Sequence, residues 1–304
     1  MTIVVAGHTG LVGSAIYKLL KSRGENVVGV NSSVVNLLDR KRTFEFIQDI
    51  KPQLVIDSAA IVGGIGANNR FPVDFLSKNL QIQNNLMDAS HEADVERFVF
   101  LGSSCIYPRD CAQPIKEEYL MTGPLERTNS AYSVAKIAGI ELIKSYRKQY
   151  NRRWIALMPT NMYGPGDNFD LETSHVLPAF INRFVTAKRS GAKSVTLWGS
   201  GSPKREFLHT HDLAEAVLLA SEKYDSEEHL NVGTGKDLSI KELASLVAKK
   251  AGFAGQIEWD ASKPDGTPRK VLDVTRLQAL GWEPRISLEA GIAETIQWFE
   301  SNYN

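Results

Sequence analysis

Short apolar segments rich in β-branched residues alternate with longer amphipathic stretches along the first half of the chain. The apolar segments are Thr2–Ala6, Val27–Val30, Leu54–Ile56, Phe98–Leu101 and Trp154–Met158. Between them, helical spacing of apolar residues recurs over Leu11–Arg23, Arg42–Asp49, Asp74–Glu92 and Ala131–Tyr150. Strands that are apolar on both faces and separated by helices are typical of a parallel sheet covered on both sides. The pattern therefore predicts an α/β fold built on a doubly wound parallel sheet.

The alternation ends after Met158, where residues 159–166 are dense in proline, glycine and asparagine. The rest of the chain predicts a helix, a strand, a second helix, a glycine turn, a proline-rich loop and a closing helix, at His175–Arg189, Val195–Trp198, Asp212–Lys223, Gly233–Gly235, Lys263–Arg269 and Leu288–Phe299. We expect a large nucleotide-binding domain of residues 1–165 with about 208–234. A smaller carboxy-terminal α/β domain, of residues 166–207 and 235–304, would bind the substrate.

Composition and charge narrow the function classes. The chain has 304 residues, with 35 basic and 35 acidic side chains and a formal net charge of zero, which argues against a protein that coats nucleic acid or an anionic membrane. No apolar run approaches the roughly 18 residues of a membrane helix, and the amino terminus lacks the pattern of a signal peptide. Two cysteines, Cys105 and Cys111, cannot form a disulfide framework. These features predict a cytoplasmic protein with neither nucleic acid nor membrane as partner.

Three glycines lie between the first predicted strand and the first predicted helix, in the segment Gly7-His8-Thr9-Gly10-Leu11-Val12-Gly13. Glycine there allows a tight turn, close approach of the backbone to a diphosphate, and close packing of helix on strand. The free N–H groups and partial positive charge of the helix amino terminus favour phosphate. The spacing is a variant of the usual fingerprint, but its place in a strand–helix–strand unit predicts a dinucleotide site rather than a plain loop.

The residues after the second strand bear on which nicotinamide cofactor binds. An NAD site usually has a carboxylate here that bonds the ribose 2′-OH, whereas Asn31-Ser32-Ser33 stand at this place and the first acidic residue is Asp39. We therefore predict NADP(H), with Ser32 and Asp39 in its site, although no arginine stands in the same stretch to pair with a 2′-phosphate. Asp39 either contacts the adenine or caps the helix that begins near Arg40.

A phenol and an ammonium lie four residues apart at Tyr132 and Lys136, and hence about one turn apart on one helix face. A neighbouring lysine charge favours the phenolate, so we expect the pKa of Tyr132 to be lowered toward the working range of an acid–base group. Ser103 follows the strand Phe98–Leu101, where a parallel sheet offers its ligand crevice, and its hydroxyl suits a substrate carbonyl oxygen. Together with the glycine turn, these residues predict a reductase site.

The combination resembles the extended short-chain dehydrogenase/reductase family, in particular the branch that acts on nucleotide sugars. The resemblance extends over essentially the whole chain. Its most specific segments are 62–69 (VGGIGANN), 102–108 (GSSCIYP), 158–165 (MPTNMYGP), 198–201 (WGSG), 205–209 (REFLH) and 263–270 (KPDGTPRK). It implies a Rossmann fold and a homodimer in which the helices near 74–92 and 131–150 pair with those of the partner. It also implies a two-stage reaction, epimerisation of GDP-4-keto-6-deoxy-D-mannose at C3 and C5 followed by NADPH-dependent reduction at C4.

The same resemblance assigns roles to individual residues. It implies that Cys105 is the base and His175 the acid of the epimerisation, and that Tyr132 and Ser103 hold the enolate oxygen before Tyr132 protonates the alkoxide. It places further cofactor contacts at Leu101, Gly102, Ser103, Ser104, Lys136, Pro159, Thr160, Asn161, Met162 and His175. It places the GDP-sugar against Arg183, Trp198, Arg205, Asp265 and Lys270. Arginine suits a diphosphate because its planar fork donates hydrogen bonds in pairs.

Several of these residues also have plain structural interpretations. A small buried cysteine is usually an inert part of the core, and His175 at a helix start is also a potential capping residue. His209 and His211 resemble two metal ligands, but without a third ligand nearby we interpret them as structural. Cys105 and Cys111 lack the spacing and partners of a zinc site, so we predict no metal, and Cys111 has no assigned role. The apolar faces of the two long helices equally suit packing on the sheet.

Two other hypotheses compete with an epimerase/reductase. The first is another enzyme of the same fold, a nucleotide-sugar 4-epimerase or 4,6-dehydratase. A dehydratase typically carries an acidic pair after the catalytic hydroxyl, where Ser104-Cys105 stand here, and a 4-epimerase needs no cysteine base. The second is a non-catalytic regulator that senses NADP. Such modules commonly lose the tyrosine–lysine pair, so its presence favours an enzyme.

Overall fold

A sheet of six parallel strands forms the centre of the protein, whose structure, a computed structural model, describes residues 1–263 and 265–303. The strands are β1 (Thr2–Ala6), β2 (Asn26–Val30), β3 (Leu54–Asp57), β4 (Arg97–Leu101), β5 (Ile155–Pro159) and β9 (Leu230–Val232). They lie in the order β2-β1-β3-β4-β5-β9, with every neighbouring pair parallel. This is the doubly wound parallel sheet that the sequence predicts.

Helices cover both faces of this sheet. In chain order the helices are α1 (Leu11–Ser22), α2 (Arg40–Ile50), α3 (Ile65–Arg70), α4 (Asn79–Glu92), α5 (Ser130–Tyr150), α6 (Val176–Ser190), α7 (Thr210–Lys223), α8 (Ile240–Ala251), α9 (Thr275–Ala279) and α10 (Leu288–Asn302). Alternate residues of β4 enter different cores: Val99 packs with α1 and α7, and Phe100 packs with α2, α4 and α5. The apolar residues of α4 and α5 named in the second core, such as Leu86 and Ile140, therefore cover the sheet.

The second half of the chain adds two small sheets. The remaining strands are β6 (Asn161–Tyr163), β7 (Ser194–Trp198), β8 (Lys204–His209), β10 (Asp237–Ser239), β11 (Gln256–Asp260) and β12 (Arg269–Lys270). β8 pairs with β6, β10 and β12, and β7 pairs with β11. A separate core, with Phe184, Leu243 and Ile296 among its buried residues, lies between α6, α8 and α10.

Most predicted elements agree with the structure to within two residues. The predicted helix 74–92 differs, since it begins with one π-helical turn over Asp74–Lys78 before α4. Pro264 of the predicted loop 263–269 and the last residue, Asn304, lie outside the described residues. The division into two domains stays a prediction; β6, placed in the first, pairs with β8. In the part of the chain that the structure describes, no helix combines the length and the apolar character needed to cross a membrane.

The strand order locates a crevice at the carboxyl edge of the main sheet. β1 has β2 on one side and β3 on the other, so the connection from β2 to β3 crosses to the opposite side of β1. Ligands of doubly wound sheets bind outside the carboxyl ends of the strands at such a switch point. Gly7 follows β1 and Ser58 follows β3 at this point, which is where a ligand crevice is expected.

Candidate active site

The glycine turn after β1 packs tightly against the segment that follows β3. Gly7 has φ +79° and its N–H donates to the carbonyl of Val30 at 2.8 Å, and a Cβ atom at position 7 would lie 2.9 Å from the backbone of Ala59. A Cβ atom at Gly13 would lie 2.6 Å from Oγ of Ser58. Gly10 precedes α1, whose amino terminus has no side-chain cap and no acidic residue in its first turn. The free N–H groups of this turn therefore suit a diphosphate.

The segment after β2 is folded by its own polar side chains. Oδ1 of Asn31 accepts hydrogen bonds from the N–H groups of Ser33 and Val34, both at 3.1 Å, and Ser32 is exposed beside them. Asp39 accepts from the N–H of Arg42 at 3.1 Å and is the N-cap of α2. Of the two interpretations of Asp39, the structure shows the cap. Arg40 bonds Asp88 at 2.7 Å.

Helix α5 places Tyr132 and Lys136 below the carboxyl end of β4. The buried Lys136 ammonium donates to the carbonyl oxygen of Leu101 at 2.9 Å and lies 5.9 Å from the centre of the Tyr132 ring. Ser103 follows two residues after Leu101, and a hydrogen bond with its side chain acts to lower the pKa of Tyr132. The structure thus brings together the three residues that the sequence predicts for reduction.

The expectation of a lowered pKa for Tyr132 is wrong. Burial, and then the neighbouring Cys105, raise the pKa of Tyr132, against the hydrogen bond of Ser103. The physical reason is desolvation, which disfavours the phenolate, while the Lys136 ammonium is directed toward the carbonyl of Leu101. Tyr132 therefore keeps its proton at neutral pH, which suits a proton donor rather than a base.

Asp57 is a candidate site residue that the sequence analysis missed. It ends β3 opposite Phe100 of β4, and the Lys136 ammonium lies 4.7 Å from the centre of the Phe100 ring. Its side chain is fully buried; Oδ1 accepts from the N–H of Ala59 at 3.1 Å, and Oδ2 has no partner among the described residues. Burial raises the pKa of Asp57 to about 6, against the charge of Lys136. The signal was an acidic residue directly after an apolar strand.

Cys105 lies in a short helical turn, Ser104–Ile106, directly after Ser103. Its N–H donates to Oγ of Ser103 at 3.2 Å, and its Sγ lies 3.4 Å from Nζ of Lys270. Burial alone would raise the pKa of this thiol, but the charge of Lys270, hydrogen bonds from Ser103 and Lys270, and the charge of Arg205 lower it overall. The half-buried Cys105 therefore has the cationic neighbours that favour a thiolate.

His175 is the N-cap residue of α6, and its side chain makes no capping hydrogen bond. His175 is exposed to solvent on one side. The protein around it still desolvates the ring, and this, followed by the charge of Lys270, lowers the pKa of His175. The segment before it contacts the glycine-rich segment 62–69, which leads into α3; there the N–H of Gly64 donates to the carbonyl of Thr173 at 3.1 Å. Asn68 in turn holds this glycine-rich segment by donating to the carbonyls of Gly63 and Gly64. The glycine-rich segment therefore supports the segment that carries His175.

The residues predicted to hold the GDP-sugar lie around β7, β8 and β12. Arg205 lies opposite Lys270 in the β8–β12 pair. Desolvation lowers the pKa of Arg205, and the charges of Cys105 and Asp265 oppose this shift. Asp265 accepts from the N–H of Ser200 at 2.7 Å, just after β7. Trp198 ends β7 with 66% of its surface exposed. Nη1 of Arg183 donates to the carbonyl of Thr196 in the same strand, at 3.4 Å.

The remaining predicted cofactor residues lie at the carboxyl ends of β4 and β5. Leu101 ends β4 and is followed by Gly102, Ser103 and Ser104. Pro159 ends β5, Thr160 follows it, and Asn161 and Met162 begin β6. The N–H of Thr160 donates to the carbonyl of Val232, and Nδ2 of Asn161 donates to the carbonyl of Glu206 at 2.8 Å. Both segments border the crevice next to Lys136.

Two predicted structural residues have local partners. His209 is buried at the N-cap of α7, where its Nδ1 accepts from the N–H of His211 at 3.3 Å.

Cys111, which has no predicted role, differs from Cys105: burial raises the pKa of this half-buried thiol. Within residues 1–263 and 265–303, no three His, Cys, Asp or Glu side chains form a group that could hold a metal ion.

Comparison with known proteins gives a consistent result. Residues 3–233 match the model of the NAD dependent epimerase/dehydratase family. The chain is 51% identical to the probable GDP-L-fucose synthase 1 of Oryza sativa subsp. japonica, over 99% of this chain and 92% of that protein. It is 49% identical to the GDP-L-fucose synthase of Escherichia coli (strain K12), over 99% and 97%. The structure of a GDP-L-fucose synthetase from Naegleria fowleri bound to NADP superposes with a TM-score of 0.92, at 30% identity over 99% of this chain and 94% of that one.

Proposed function

The chain belongs to the NAD dependent epimerase/dehydratase family, and on that premise we propose that it converts GDP-4-keto-6-deoxy-D-mannose to GDP-L-fucose with NADPH. The relatives named above share about half of its residues over almost the full length of both proteins. The observation that carries the proposal is that groups suited to reduction and a thiol suited to epimerisation lie at one crevice. A protonated phenol and a serine hydroxyl suit a ketone oxygen, and the Cys105 thiol lies close enough to influence the pKa of that phenol.

Epimerisation uses the acidity of the C–H bonds next to the C4 ketone. The Cys105 thiolate takes the proton from C3 or C5, the C–H electron pair becomes the C=C bond of an enolate, and the carbonyl π pair moves to O4. Tyr132 and Ser103 donate hydrogen bonds to that oxygen. The protonated form of His175 then returns a proton to the other face of the same carbon, and the carbonyl re-forms. Because the pKa of His175 is lowered, this form is the minor and more acidic one at neutral pH. Before the next epimerisation the thiol loses its proton to solvent and the imidazole regains one.

Reduction uses the same carbonyl oxygen. NADPH, when bound, supplies the hydride for C4. The Tyr132 phenol gives its proton to O4 as the alkoxide forms, and the raised pKa of this phenol keeps the proton in place until then. Lys136 lies at the carboxyl end of β4 and is positioned to hold the nicotinamide ribose.

The cofactor is NADP(H), and the residues of the first βαβ unit fit it. The uncapped amino terminus of α1 and the glycine turn suit the diphosphate. Segment 31–33 has no carboxylate that would repel a 2′-phosphate, because it consists of Asn31 and the exposed Ser32 and Ser33. The nearest carboxylate, that of Asp39, accepts a hydrogen bond at the start of α2. The GDP-sugar would bind across β7, β8 and β12, where Arg183 and Arg205 face its diphosphate and Trp198 the base.

The test is to mix the purified protein with GDP-4-keto-6-deoxy-D-mannose and either NADPH or NADH, follow oxidation of the nicotinamide and identify the product sugar. We expect NADPH-dependent formation of GDP-L-fucose, and loss of turnover in Tyr132→Phe. Formation of GDP-rhamnose would support the reductase activity and contradict the roles of Cys105 and His175 in epimerisation. Absence of any reaction would contradict the substrate.

The oligomeric state and the cellular location stay predictions. We propose a homodimer through α4 and α5, in line with the family resemblance, and α5 carries exposed apolar surface at Val134 and Tyr150, which are 46% and 48% exposed. Light scattering during gel filtration tests it, with a mass of twice the chain expected and a monomer contradicting it. A cytoplasmic location is proposed with it, to be tested by fractionation.

A further inference from the structure

The last strand of the small sheet brings one lysine to the thiol. β12 has only two residues, Arg269 and Lys270, and pairs with β8 through Lys204 and Arg205. The next residues fix its end: the N–H of Val271 donates to Oε1 of Gln113 at 3.0 Å, and that of Leu272 donates to Oε2 of Glu206 at 2.9 Å. The half-buried side chain of Lys270 reaches from this anchored backbone to within 3.4 Å of Sγ of Cys105.

The other charged and titratable groups around the thiol come from several elements. Arg205 on β8 acts on the pKa of Cys105, and Cys105 acts on that of Tyr132 in α5. The charge of Lys270 also acts on the pKa of His175 at the start of α6. Two further cations nearby have carboxylate partners: Arg109 lies 3.7 Å from Glu126, and Arg269 lies 2.5 Å from Asp237. Within the described residues, Lys270 is the cation in hydrogen-bond contact with Sγ of Cys105.

We propose that Lys270 is the counter-ion of Cys105, a positioning residue that keeps this thiol ionised for proton abstraction. This goes beyond the substrate-binding role that the family resemblance implies for Lys270, and it rests on the proposed function only for the use made of the thiolate. An ammonium 3.4 Å from sulfur stabilises the anion, because opposite charges at this separation favour the ionised form. Cys111 has Gln113 and no lysine in hydrogen-bond contact within the described chain. The charge of Lys270 acts on its pKa only from a distance, so Cys111 is a reference for the direct contact.

The experiment measures the ionisation of each thiol directly. The protein is alkylated with iodoacetamide over a pH series, digested with trypsin and analysed by mass spectrometry. Trypsin cuts after Arg97, Arg109 and Lys116, so Cys105 and Cys111 fall in separate peptides, 98–109 and 110–116. The variants are Lys270→Gln, Lys270→Arg and, as matched control, Arg269→Gln, which removes the neighbouring cation of the same strand.

We expect Lys270→Gln to raise the apparent pKa of Cys105 by about one unit, so that its alkylation rate falls about tenfold at pH values below both pKa values. Lys270→Arg keeps most of the rate, and Arg269→Gln leaves the pKa of both thiols in place. In Lys270→Gln the pKa of Cys111 rises less than that of Cys105, because the charge of Lys270 lowers the pKa of Cys111 without a direct contact. If Lys270→Gln does not bind NADPH or fold, Lys270→Met, which keeps the aliphatic stem, takes its place. An unchanged pKa of Cys105 in a folded variant without this charge overturns the proposal.

A second readout separates this role from diphosphate binding. In deuterated water, the kcat for exchange of the substrate protons at C3 and C5 should fall in Lys270→Gln. The pH profile of this exchange should move to higher pH together with the pKa of the Cys105 thiol. A rise in KM alone, with the pH profile in place, would mean that Lys270 only holds the substrate and would overturn the proposal. Because alkylation needs no substrate, a failed GDP-L-fucose assay and a failed Lys270 proposal give different results.

Discussion

At the residue scale, Asp57 and Lys136 form a buried pair of opposite charge under the carboxyl edge of the sheet. Desolvation lowers the pKa of Lys136 to about 8, and the charge of Asp57 opposes this shift. Desolvation raises the pKa of Asp57 to about 6, and the charge of Lys136 opposes that shift in turn. Between these two values both groups are ionised and stabilise each other. The ammonium that is proposed to hold the nicotinamide ribose therefore depends on a carboxylate from a neighbouring strand.

We predict that Asp57→Asn narrows the pH range of reduction from the alkaline side. Without the carboxylate the pKa of Lys136 falls below about 8, so the alkaline limb of kcat/KM for NADPH moves to lower pH. The measurement is a pH profile of NADPH oxidation, with the exposed Asp49→Asn on α2 as control. A limb that stays in place, or moves to higher pH, would show that Asp57 does not sustain the charge of Lys136.

A second prediction at this scale separates the two halves of the reaction. Cys105→Ser replaces the thiol by a hydroxyl that does not ionise near neutral pH, so exchange of deuterium at C3 and C5 should fall by about 10²-fold or more. Hydride transfer to C4 continues, and the product is the unepimerised sugar. Cys111→Ser is the matched control, since burial raises the pKa of Cys111 and it has no proposed role. Equal loss of exchange and of hydride transfer in Cys105→Ser would argue against a separate base.

At the element scale, the sequence predicts the main sheet well and the small sheets poorly. β1 to β5 are runs of four or five residues, most of them buried, and helices follow β1 to β4 along the chain. β12 has two residues and β6 has three, and both depend on pairing with β8, which is distant in sequence. Such strands have too few residues to show a pattern of period two. Helix α8 is different, because residues 240–251 do have the apolar spacing of a helix and the prediction left it out.

The packing of α1 on the first turn gives the prediction at this scale. In Gly13→Ala the added methyl group overlaps the carbonyl of Gly7 and lies 2.6 Å from Oγ of Ser58. We expect the free energy of unfolding to fall by about 1–3 kcal/mol and NADPH binding to weaken, because α1 must shift away from the turn. The measurements are urea unfolding and NADPH fluorescence titration.

Gly24→Ala supplies the control for that experiment. Gly24 has φ +76° just after α1, and no atom lies within 4 Å of the position that a Cβ would take. The substitution should cost about 1–2 kcal/mol through backbone strain alone and leave NADPH affinity unchanged. Equal effects of the two variants on NADPH affinity would show that the Gly13 contact does not set the cofactor site.

At the scale of the whole molecule, the site joins groups from both halves of the chain, and sequence reasoning reaches only the local part. Tyr132 and Lys136 are four residues apart on one helix, so helix geometry alone places them together. The contact between Cys105 and Lys270 spans 165 residues and depends on the pairing of a two-residue strand. The raised pKa of Tyr132 likewise follows from burial, which no local spacing reveals. Roles of Cys105 and His175 came from family resemblance rather than from their surroundings.

Glu206 connects these halves, and its substitution tests whether the small sheet holds the thiol site in place. Its fully buried carboxylate accepts from the N–H groups of Thr234 at 2.5 Å and Gly235 at 2.7 Å, after β9, and from that of Leu272 at 2.9 Å, after β12. In Glu206→Gln one carboxylate oxygen becomes an amide NH₂, which faces at least one of these N–H donors without an acceptor between them. We expect a loss of about 2 kcal/mol in the free energy of unfolding.

The same variant should weaken the contact between Lys270 and Cys105, because Leu272 anchors the strand that carries the lysine. Urea unfolding and the alkylation rate of Cys105 measure the two effects in one preparation. The exposed Glu283→Gln is the control, and it should change stability by no more than about 0.5 kcal/mol. If Glu206→Gln loses stability while Cys105 alkylates at the wild-type rate, β12 holds its lysine independently of the buried carboxylate, and the thiol site is then set by the β8–β12 pairing alone.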